Sequence, residues 1–260
     1  MTTTTEPRPS ITESHRSTDP GSGPSRLLRG LRRVPMWIVI GVLLIAVVYP
    51  LFWMLTGSLK TQEEFLNNPT WALPEDWTNF SNYVEAWTTG NLGTYIRNSI
   101  LAVFPSLFLT ITIGVAAGFA LEVMVWKGRG PVLLAFLAGI MIPGQMILLP
   151  LFTMYFRAGL TGTLWPLIIT YTAIGLPLTV FMMATYFRGV PREVFEAATL
   201  DGASIYRTFF SIAFPLVRNA VFTVALVQFF FIWNDLLIAL RFTTNDELRT
   251  IQVGLLNFTG

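Results

Sequence analysis

The chain has 260 residues, of which 53% are hydrophobic and only 12% are charged, and its mean hydropathy is +0.57. Soluble domains carry about 25% charged residues, so this composition excludes a free globular enzyme and a disordered protein. The net charge of +2 and the scattered positions of the 17 basic residues exclude a nucleic-acid-binding protein. Cysteine is absent, which excludes disulfides, cysteine-based zinc clusters and thiol nucleophiles. The remaining class is a polytopic membrane protein.

Residues 1–33 differ in composition from the rest of the chain. They are rich in Thr, Ser, Pro and Gly and poor in large apolar residues, which predicts a disordered tail. The apolar run that begins at Val34 is too long for the core of a signal peptide, and no small-residue cleavage site follows it. The sequence therefore predicts that this run is retained as a first membrane span.

Five apolar stretches reach the length of about 20 residues that a helix needs to cross a bilayer. Backbone groups in lipid must form their hydrogen bonds within the protein, which favours helices. We therefore predict an all-α transmembrane domain over residues 34–260. Its predicted spans are 34–59, 98–121, 131–156, 163–187 and 219–240.

The distribution of Lys and Arg predicts that the N-terminus is cytoplasmic, because cytoplasmic loops carry an excess of these residues. In that orientation the inner segments are 1–33, 122–130 and 188–218, and they contain six, two and four basic residues. These twelve residues compare with five in the outer segments. One outer segment, 60–97, is rich in aromatic residues, which suits either the membrane interface or packing against another protein.

The inner segment 188–218 is the most informative loop. Pro191 can occupy the first position of a helix, where its missing N–H costs nothing, and Glu196 complements the helix dipole. Gly202 can adopt the left-handed conformation that ends such a helix, and Ser204 can cap a second helix. The sequence predicts a short helix, a sharp bend and a return to the membrane. These residues alone allow an amphipathic connector on the lipid surface or a knob that a soluble partner binds.

The same segment contains a spaced series of residues. Glu-Ala-Ala at 196–198 is followed by Gly202 after three intervening residues. Ile212 comes after nine more, and Phe-Pro at 214–215 after one more. This order resembles the EAA loop of bacterial ABC importer permeases, which usually has Leu in place of the Phe. The resemblance implies a coupling helix that fits a groove on a separate ATP-hydrolysing subunit. Its docking residues would be Glu196, Ala197, Ala198, Asp201 and Gly202. Its scaffold residues would be Pro191, Ile212 and Pro215.

Four further motifs occur along the chain. They are Tyr-Ile-Arg-Asn-Ser at 95–99, Ile-Pro-Gly-Gln at 142–145, Trp-Asn-Asp at 233–235 and Leu-Arg-Thr-Ile-Gln-Val-Gly at 248–254. In this order they are similar to the second permease subunit of maltose-type systems, in the carbohydrate-uptake branch of the family, over about residues 35–260. The resemblance implies the bacterial inner membrane and a sixth span that this chain is expected to lack. The implied partners are a second permease subunit, a dimer of ATP-binding cassette ATPase subunits and an extracytoplasmic solute-binding protein.

The chain is not expected to be an enzyme. Neither of its lysines, Lys60 and Lys127, belongs to a phosphate-binding loop. Its only histidine, His15, lies in the predicted tail, which excludes histidine-based acid–base or metal sites. We therefore expect no cofactor on this chain, and the resemblance implies that ATP and magnesium bind to the partner ATPase.

Three polar residues at membrane depth are candidates for lining a solute pathway. Asp235, with Asn234 beside it, is either a functional acid or an interfacial acid that reaches headgroup water. Gln145, next to Pro143 and Gly144, lines a cavity if the third helix is broken there, or it serves helix packing alone.

Other polar and small residues of the predicted spans are expected to be structural. Asn98 and Ser99 are expected to cap the second span, and Glu122 is expected to reach water at its inner end. Gly114 and Gly118 form a Gly-x-x-x-Gly pattern that favours close contact between helices.

The leading hypothesis is one of two permease subunits of a binding-protein-dependent sugar importer, which forms half of the pathway and couples to the ATPase through the EAA loop. An ion-driven secondary transporter is a second hypothesis, and it would need several acids within the membrane or repeated halves. A non-transporting membrane scaffold protein is a third.

Overall fold

The computed structural model describes residues 34–258, and the predicted tail at 1–33 lies outside this range. Every regular element in the described range is helical. The chain divides into two compact units, with the boundary between Phe80 and Ser81. The α-helices are α1 (Val34–Ser58), α2 (Gln62–Asn67), α3 (Ser81–Thr88), α4 (Leu92–Glu122), α5 (Arg129–Ile140), α6 (Leu148–Arg157), α7 (Trp165–Arg188), α8 (Arg192–Leu200), α9 (Ile205–Thr208), α10 (Phe214–Trp233), α11 (Leu237–Phe242) and α12 (Ile251–Gly254).

The first unit contains the membrane-length helix α1 and a loop that carries α2. Thr61 and Glu64 cap the start of α2 reciprocally: the Thr61 hydroxyl accepts from the Glu64 N–H at 3.2 Å, and the Glu64 carboxylate accepts from the Thr61 N–H at 2.6 Å. This bond and a second one from the Glu75 N–H lower the pKa of Glu64. The indole N–H of Trp53 in α1 donates to the Thr70 carbonyl at 2.8 Å, which ties the loop back to the helix.

Four helices within the described range are long and apolar enough to cross a membrane. They are Pro35–Ser58, Leu92–Glu122, Trp165–Arg188 and Ile205–Trp233. A fifth span results if α5 and α6 count as one bent unit. The all-α polytopic fold is therefore confirmed, and the predicted number of spans agrees with the structure when the bent pair is included.

Helices α4 and α7 pack closely because two glycines of α4 remove side chains from their contact. A Cβ atom on Gly114 would collide with the Thr179 side chain, and one on Gly118 would lie 2.7 Å from the Cβ of Met183. The expectation of a close helix contact at this Gly-x-x-x-Gly pattern is confirmed.

The third predicted span is broken. Helix α5 ends at Ile140, a 3₁₀ turn covers Gly144–Ile147, and α6 follows at an angle of 89°. Pro143 precedes this turn in an extended conformation, with φ −63° and ψ 120°. Proline lacks the N–H that would continue the helix, and its ring restricts the preceding residue. The sequence left a break beside Pro143 and Gly144 as one of two alternatives, and the structure contains the break.

The second and fifth spans begin earlier than predicted. Helix α4 starts at Leu92, six residues before the predicted position 98. The fifth span starts at Ile205 rather than 219 and ends at Trp233 rather than 240. A π-helical turn, Phe209–Ala213, precedes Pro215 and keeps the helix continuous, because the wider turn accommodates a residue without an N–H.

The aromatic loop around 60–97 contains two short helices, α2 and α3, in the described range. Its large aromatic side chains are exposed, and Trp71 reaches 77% exposure. Exposed aromatic side chains at this density suit a membrane-interface surface or a surface that another protein covers.

We expect Gly114→Ala to lower the stability of the second unit by about 1–3 kcal/mol, because the added methyl group overpacks the α4–α7 contact. Thermal unfolding in detergent, followed by tryptophan fluorescence, measures the effect. Gly130→Ala is the matched control, since no atom lies within 4 Å of the added Cβ there. Equal melting temperatures for both variants would contradict this account of the contact.

Candidate functional site

The end of the second unit at which α4 and α7 finish is called the α8 end below. Helix α8 begins at Arg192, so Pro191 precedes the helix and does not occupy its first position as predicted; its backbone has φ −56° and ψ 133°. The helix ends as predicted at Gly202, which has φ +72°. The Ser204 hydroxyl accepts from the Arg207 N–H at 3.3 Å and caps α9, which confirms that prediction. The predicted short helix, bend and return are all present.

Helix α8 has one face against the bundle and one face exposed. Ala198 is 5% exposed and Phe195 is half-buried, so these residues attach the helix to the second unit. The predicted docking residues other than Ala198 are exposed: Glu196, Ala197, Asp201 and Gly202. Leu200 is 88% exposed. The predicted scaffold residues differ in exposure: Ile212 is half-buried, whereas Pro191 and Pro215 are exposed.

An aromatic cluster joins α8 to three other helical segments. The ring of Phe119 in α4 makes edge contacts with Phe187 in α7, Phe195 in α8 and Phe209 in the π-helical turn. The centroid distances are 5.7, 6.5 and 5.1 Å. Edge-to-face aromatic pairs stabilise packing beyond the burial of their area. Phe119 was not singled out in the sequence, because its spacing matches that of any apolar residue of a membrane helix.

The expectation that Glu122 reaches only water is wrong. Its carboxylate accepts two hydrogen bonds from the Arg188 guanidinium, one from Nε at 3.1 Å and one from Nη2 at 2.8 Å. The two residues are the last of α4 and α7, and the close packing of these helices brings them together.

The opposite end of the unit, where α4 and α7 begin, is called the α12 end. Asn98 and Ser99 do not cap α4 there, because the helix starts one and a half turns earlier. The Asn98 amide donates to the carbonyls of Glu247 and Arg249 at 2.7 and 3.1 Å, and the Ser99 hydroxyl accepts from the Ile251 N–H at 2.8 Å. The motifs at 95–99 and 248–254 therefore contact each other.

A polar cluster completes this contact. The Asp246 carboxylate accepts from the Tyr95 hydroxyl at 2.8 Å and from the Asn257 amide at 3.2 Å, and it lies 3.2 Å from the Arg249 guanidinium. A Cβ on Gly254 would collide with the Tyr95 ring. The sequence showed these residues as separate motifs, since about 150 residues separate them along the chain.

The three candidate pathway residues are not all brought together. Asp235 and Gln145 line one cavity of about 570 Å³ next to the break between α5 and α6, and Gln228 lines it as well. Asn234 instead folds back, and its amide donates to the Phe230 carbonyl at 2.8 Å.

Asp235 has a structural role that neither interpretation of the sequence included. One carboxylate oxygen accepts from the Tyr171 hydroxyl at 2.9 Å and from the N–H groups of Ile238 and Ala239 at 3.0 and 3.1 Å. The last two bonds cap the start of α11, a few residues after α10 ends at Trp233.

Gln228 was missed in the sequence. It is 2% exposed, and its amide donates to the Gly175 carbonyl at 3.1 Å and to the Thr179 hydroxyl at 2.9 Å. The signal that could have identified it in the sequence is a polar residue, directly after Val227, inside the predicted fifth span. Among the described residues, no group of acidic side chains could hold a metal ion.

Comparison with known proteins identifies similar chains. Residues 110–256 match the family described as binding-protein-dependent transport system inner membrane component. The chain is 34% identical over 220 residues to the diacetylchitobiose uptake system permease protein of Streptomyces coelicolor, covering 85% of this chain and 70% of that protein. It is 32% identical over 227 residues to the trehalose/maltose transport system permease protein of Thermococcus litoralis, covering 86% and 81%.

The fold is also similar to a solved structure. The match is a chain in the crystal structure of a bacterial ABC transporter involved in the import of the acidic polysaccharide alginate. The TM-score is 0.74 and the identity 21%, over 92% of this chain and 82% of that chain. At this identity the likeness supports the fold.

We expect the polar cluster at the α12 end to weaken in acid. The pKa of Asp246 is lowered, mainly because the Tyr95 hydroxyl donates to its carboxylate, although burial opposes this effect. A carboxyl group whose pKa is lower in the folded chain stabilises the fold at neutral pH. That contribution is lost as the pH falls through the lowered value.

The measurement compares the melting temperatures of the wild type and Asp246→Asn between about pH 7 and about pH 3, a range that includes the titration of carboxyl groups. The variant should be less stable at neutral pH, and the difference should shrink as the pH falls. Glu247→Gln, which removes the neighbouring exposed carboxyl, is the control. A difference that stays constant with pH would contradict the role of the Asp246 charge.

Proposed function

The chain belongs to the family of binding-protein-dependent transport system inner membrane components and is a permease subunit of an ABC importer, and from this premise we propose that α8 is its coupling helix. The single observation that supports this role most strongly is the geometry of α8. It exposes Glu196, Ala197 and Asp201 on a short helix whose other face contacts the spans. A groove on a partner can therefore bind the exposed face of the helix while the other face stays packed against the spans.

The proposed partner at α8 is an ATP-binding cassette ATPase, present as a dimer that binds ATP and magnesium. The α8 end would then be cytoplasmic, in agreement with the Lys and Arg distribution, and the N-terminus would lie on the same side. A second permease subunit and an extracytoplasmic solute-binding protein complete the proposed assembly, in which this chain forms half of the pathway through the bilayer.

In the proposed mechanism, closure of the ATPase dimer displaces α8, and the Phe119 cluster passes the displacement to α4, α7 and the span that contains α10. The two states of the pathway must bind the solute with different affinities for this movement to carry it across. The cavity lined by Gln145, Gln228 and Asp235 lies where the third span is broken, and we propose that it forms part of the pathway.

We propose a carbohydrate as the solute. The relatives named above are permeases for diacetylchitobiose and for trehalose and maltose. A third relative, 32% identical, is the melibiose/raffinose/stachyose import permease protein of Bacillus subtilis. The amide and carboxylate groups in the cavity suit hydrogen bonds to hydroxyl groups. Which carbohydrate is carried would depend on the solute-binding protein and on the second permease as well.

The two alternatives find less support. An ion-driven transporter needs several acids within the membrane, whereas Glu122, at the end of α4, is the acid found within the described spans. Uptake that survives ATP depletion but stops when the ion gradient collapses would favour that alternative. Partner binding without solute flux would favour a scaffold protein.

The test is purification of the tagged chain from its native membranes in detergent, with bound proteins identified by mass spectrometry. We expect an ATPase subunit to co-purify. Glu196→Ala should weaken its binding about ten-fold, as the loss of a central interface residue does.

Gly202→Val should also release the ATPase, because a residue other than glycine at φ +72° is strained and would alter the bend after α8. Gly159→Val is the matched control. Gly159 has φ +68° and open space around it, but it follows α6, away from the α8 end. Undiminished ATPase binding by both Glu196→Ala and Gly202→Val would refute the docking role.

A further inference from the structure

We propose that the Glu122–Arg188 ion pair is a positioning bracket, which holds α8 at a fixed angle to the spans so that a displacement of α8 is passed to α4. Glu122 and Arg188 are positioning residues in this inference. It rests on the proposed coupling role of α8 and assigns a function to two residues outside the EAA loop.

The geometry of the pair limits movement at the base of α8. Arg188 is the last residue of α7, and only the residues 189–191 separate it from the first residue of α8. The guanidinium binds both carboxylate oxygens of Glu122, at 3.1 and 2.8 Å. Two parallel hydrogen bonds fix the direction of the arginine side chain as well as its position.

The pair also lies next to a contact that reaches α8 itself. Phe119 precedes Glu122 by about one helical turn, so its ring and the carboxylate lie on the same side of α4. The Phe119 ring contacts Phe187, the neighbour of Arg188, and it contacts Phe195 in α8. One short stretch of α4 therefore contacts both sides of the connection between α7 and α8.

Packing alone does not fix the angle of α8. A groove of about 550 Å³ lies between α8 and the ends of α4 and α7, and Glu122, Arg188, Arg192 and Glu196 all line it. Tightly packed interfaces leave few voids of this size. On the side of the groove, α8 therefore has room to tilt. The ion pair on that side joins α4 to the last residue of α7, and only residues 189–191 separate that residue from α8.

A purely structural pair and a bracket predict different results. The side chain of Arg188 is 62% exposed, and that of Glu122 is 15% exposed. An ion pair with one exposed partner contributes little to stability, so removal of a merely structural pair would change little. Removal of a bracket would broaden the orientation of α8 and separate its movement from that of α4.

The absence of cysteine from the chain makes the orientation measurable, because thiol labels can be placed without background. Val125→Cys, at a position that is 89% exposed after α4, and Thr199→Cys, on the exposed face of α8, would carry two spin labels. The distance distribution between them is measured in the detergent-purified complex with its ATPase, with and without ATP.

We expect one narrow distribution in the otherwise unaltered chain, with the same mean distance in both nucleotide states. Glu122→Gln should broaden the distribution, because the ratio of molecules at that distance to molecules at other distances should fall about three-fold when one partly exposed pair is lost. The exchange Glu122→Arg with Arg188→Glu should restore the narrow distribution. Lys127→Gln, which removes an exposed positive charge from the same end, is the control and should leave the distribution unchanged.

The bracket is refuted if Glu122→Gln retains the narrow distribution in both states while the ATPase remains bound. It is also refuted if the charge exchange fails to restore a distribution that Glu122→Gln had broadened. If no ATPase co-purifies with the unaltered chain, the docking role of α8 fails instead. In that case the nucleotide-free distances still decide whether the pair sets the orientation of α8.

Discussion

The close contact between α4 and α7 is the constraint on which the rest of the second unit depends. Gly114 and Gly118 allow the two helices to approach until backbone and side chain touch. In lipid there is little hydrophobic drive between helices, so contact of this kind supplies much of their association. The approach brings Glu122 to Arg188 and Phe119 to Phe187 at one end. The polar contacts at the α8 end are therefore consequences of apolar packing along the spans.

The sequence predicted best what depends on local chemistry. Gly202 ends one helix with a left-handed backbone, and the Ser204 hydroxyl caps the next. Both effects involve only residues a few positions away, so they do not depend on tertiary packing. The break near Pro143 was one of two alternatives, because proline and glycine are also tolerated in continuous membrane helices. The α-helical fold class and the approximate positions of the spans follow from composition, since the bilayer leaves few alternatives to the α-helix.

The prediction failed where a polar residue has a distant partner. Asn98 and Ser99 were predicted to cap the start of a helix, yet they lie inside α4 and their side chains bond to the segment around Glu247 and Ile251. Asp235 was predicted inside the fifth span as a functional or an interfacial acid, yet it lies after the end of that span and caps α11. A single sequence contains no sign of such pairings, because the partners come from elements far apart along the chain.

The two ends of α4 are held by different kinds of contact, and this difference bears on how the protein moves. At the α12 end, Tyr95, Asp246 and Asn257 form a hydrogen-bonded cluster around a buried ring. At the α8 end, aromatic edges and one ion pair border an open groove. A groove of about 600 Å³ borders the α12 end as well, so the difference lies in which segment each set of contacts reaches. The α12 end of α4 is tied to the segment around Asp246, whereas the ion pair and the Phe119 contacts tie the other end to α8 and to the connection that leads into it. In the proposed mechanism, a displacement of α8 therefore acts on α4 at this end.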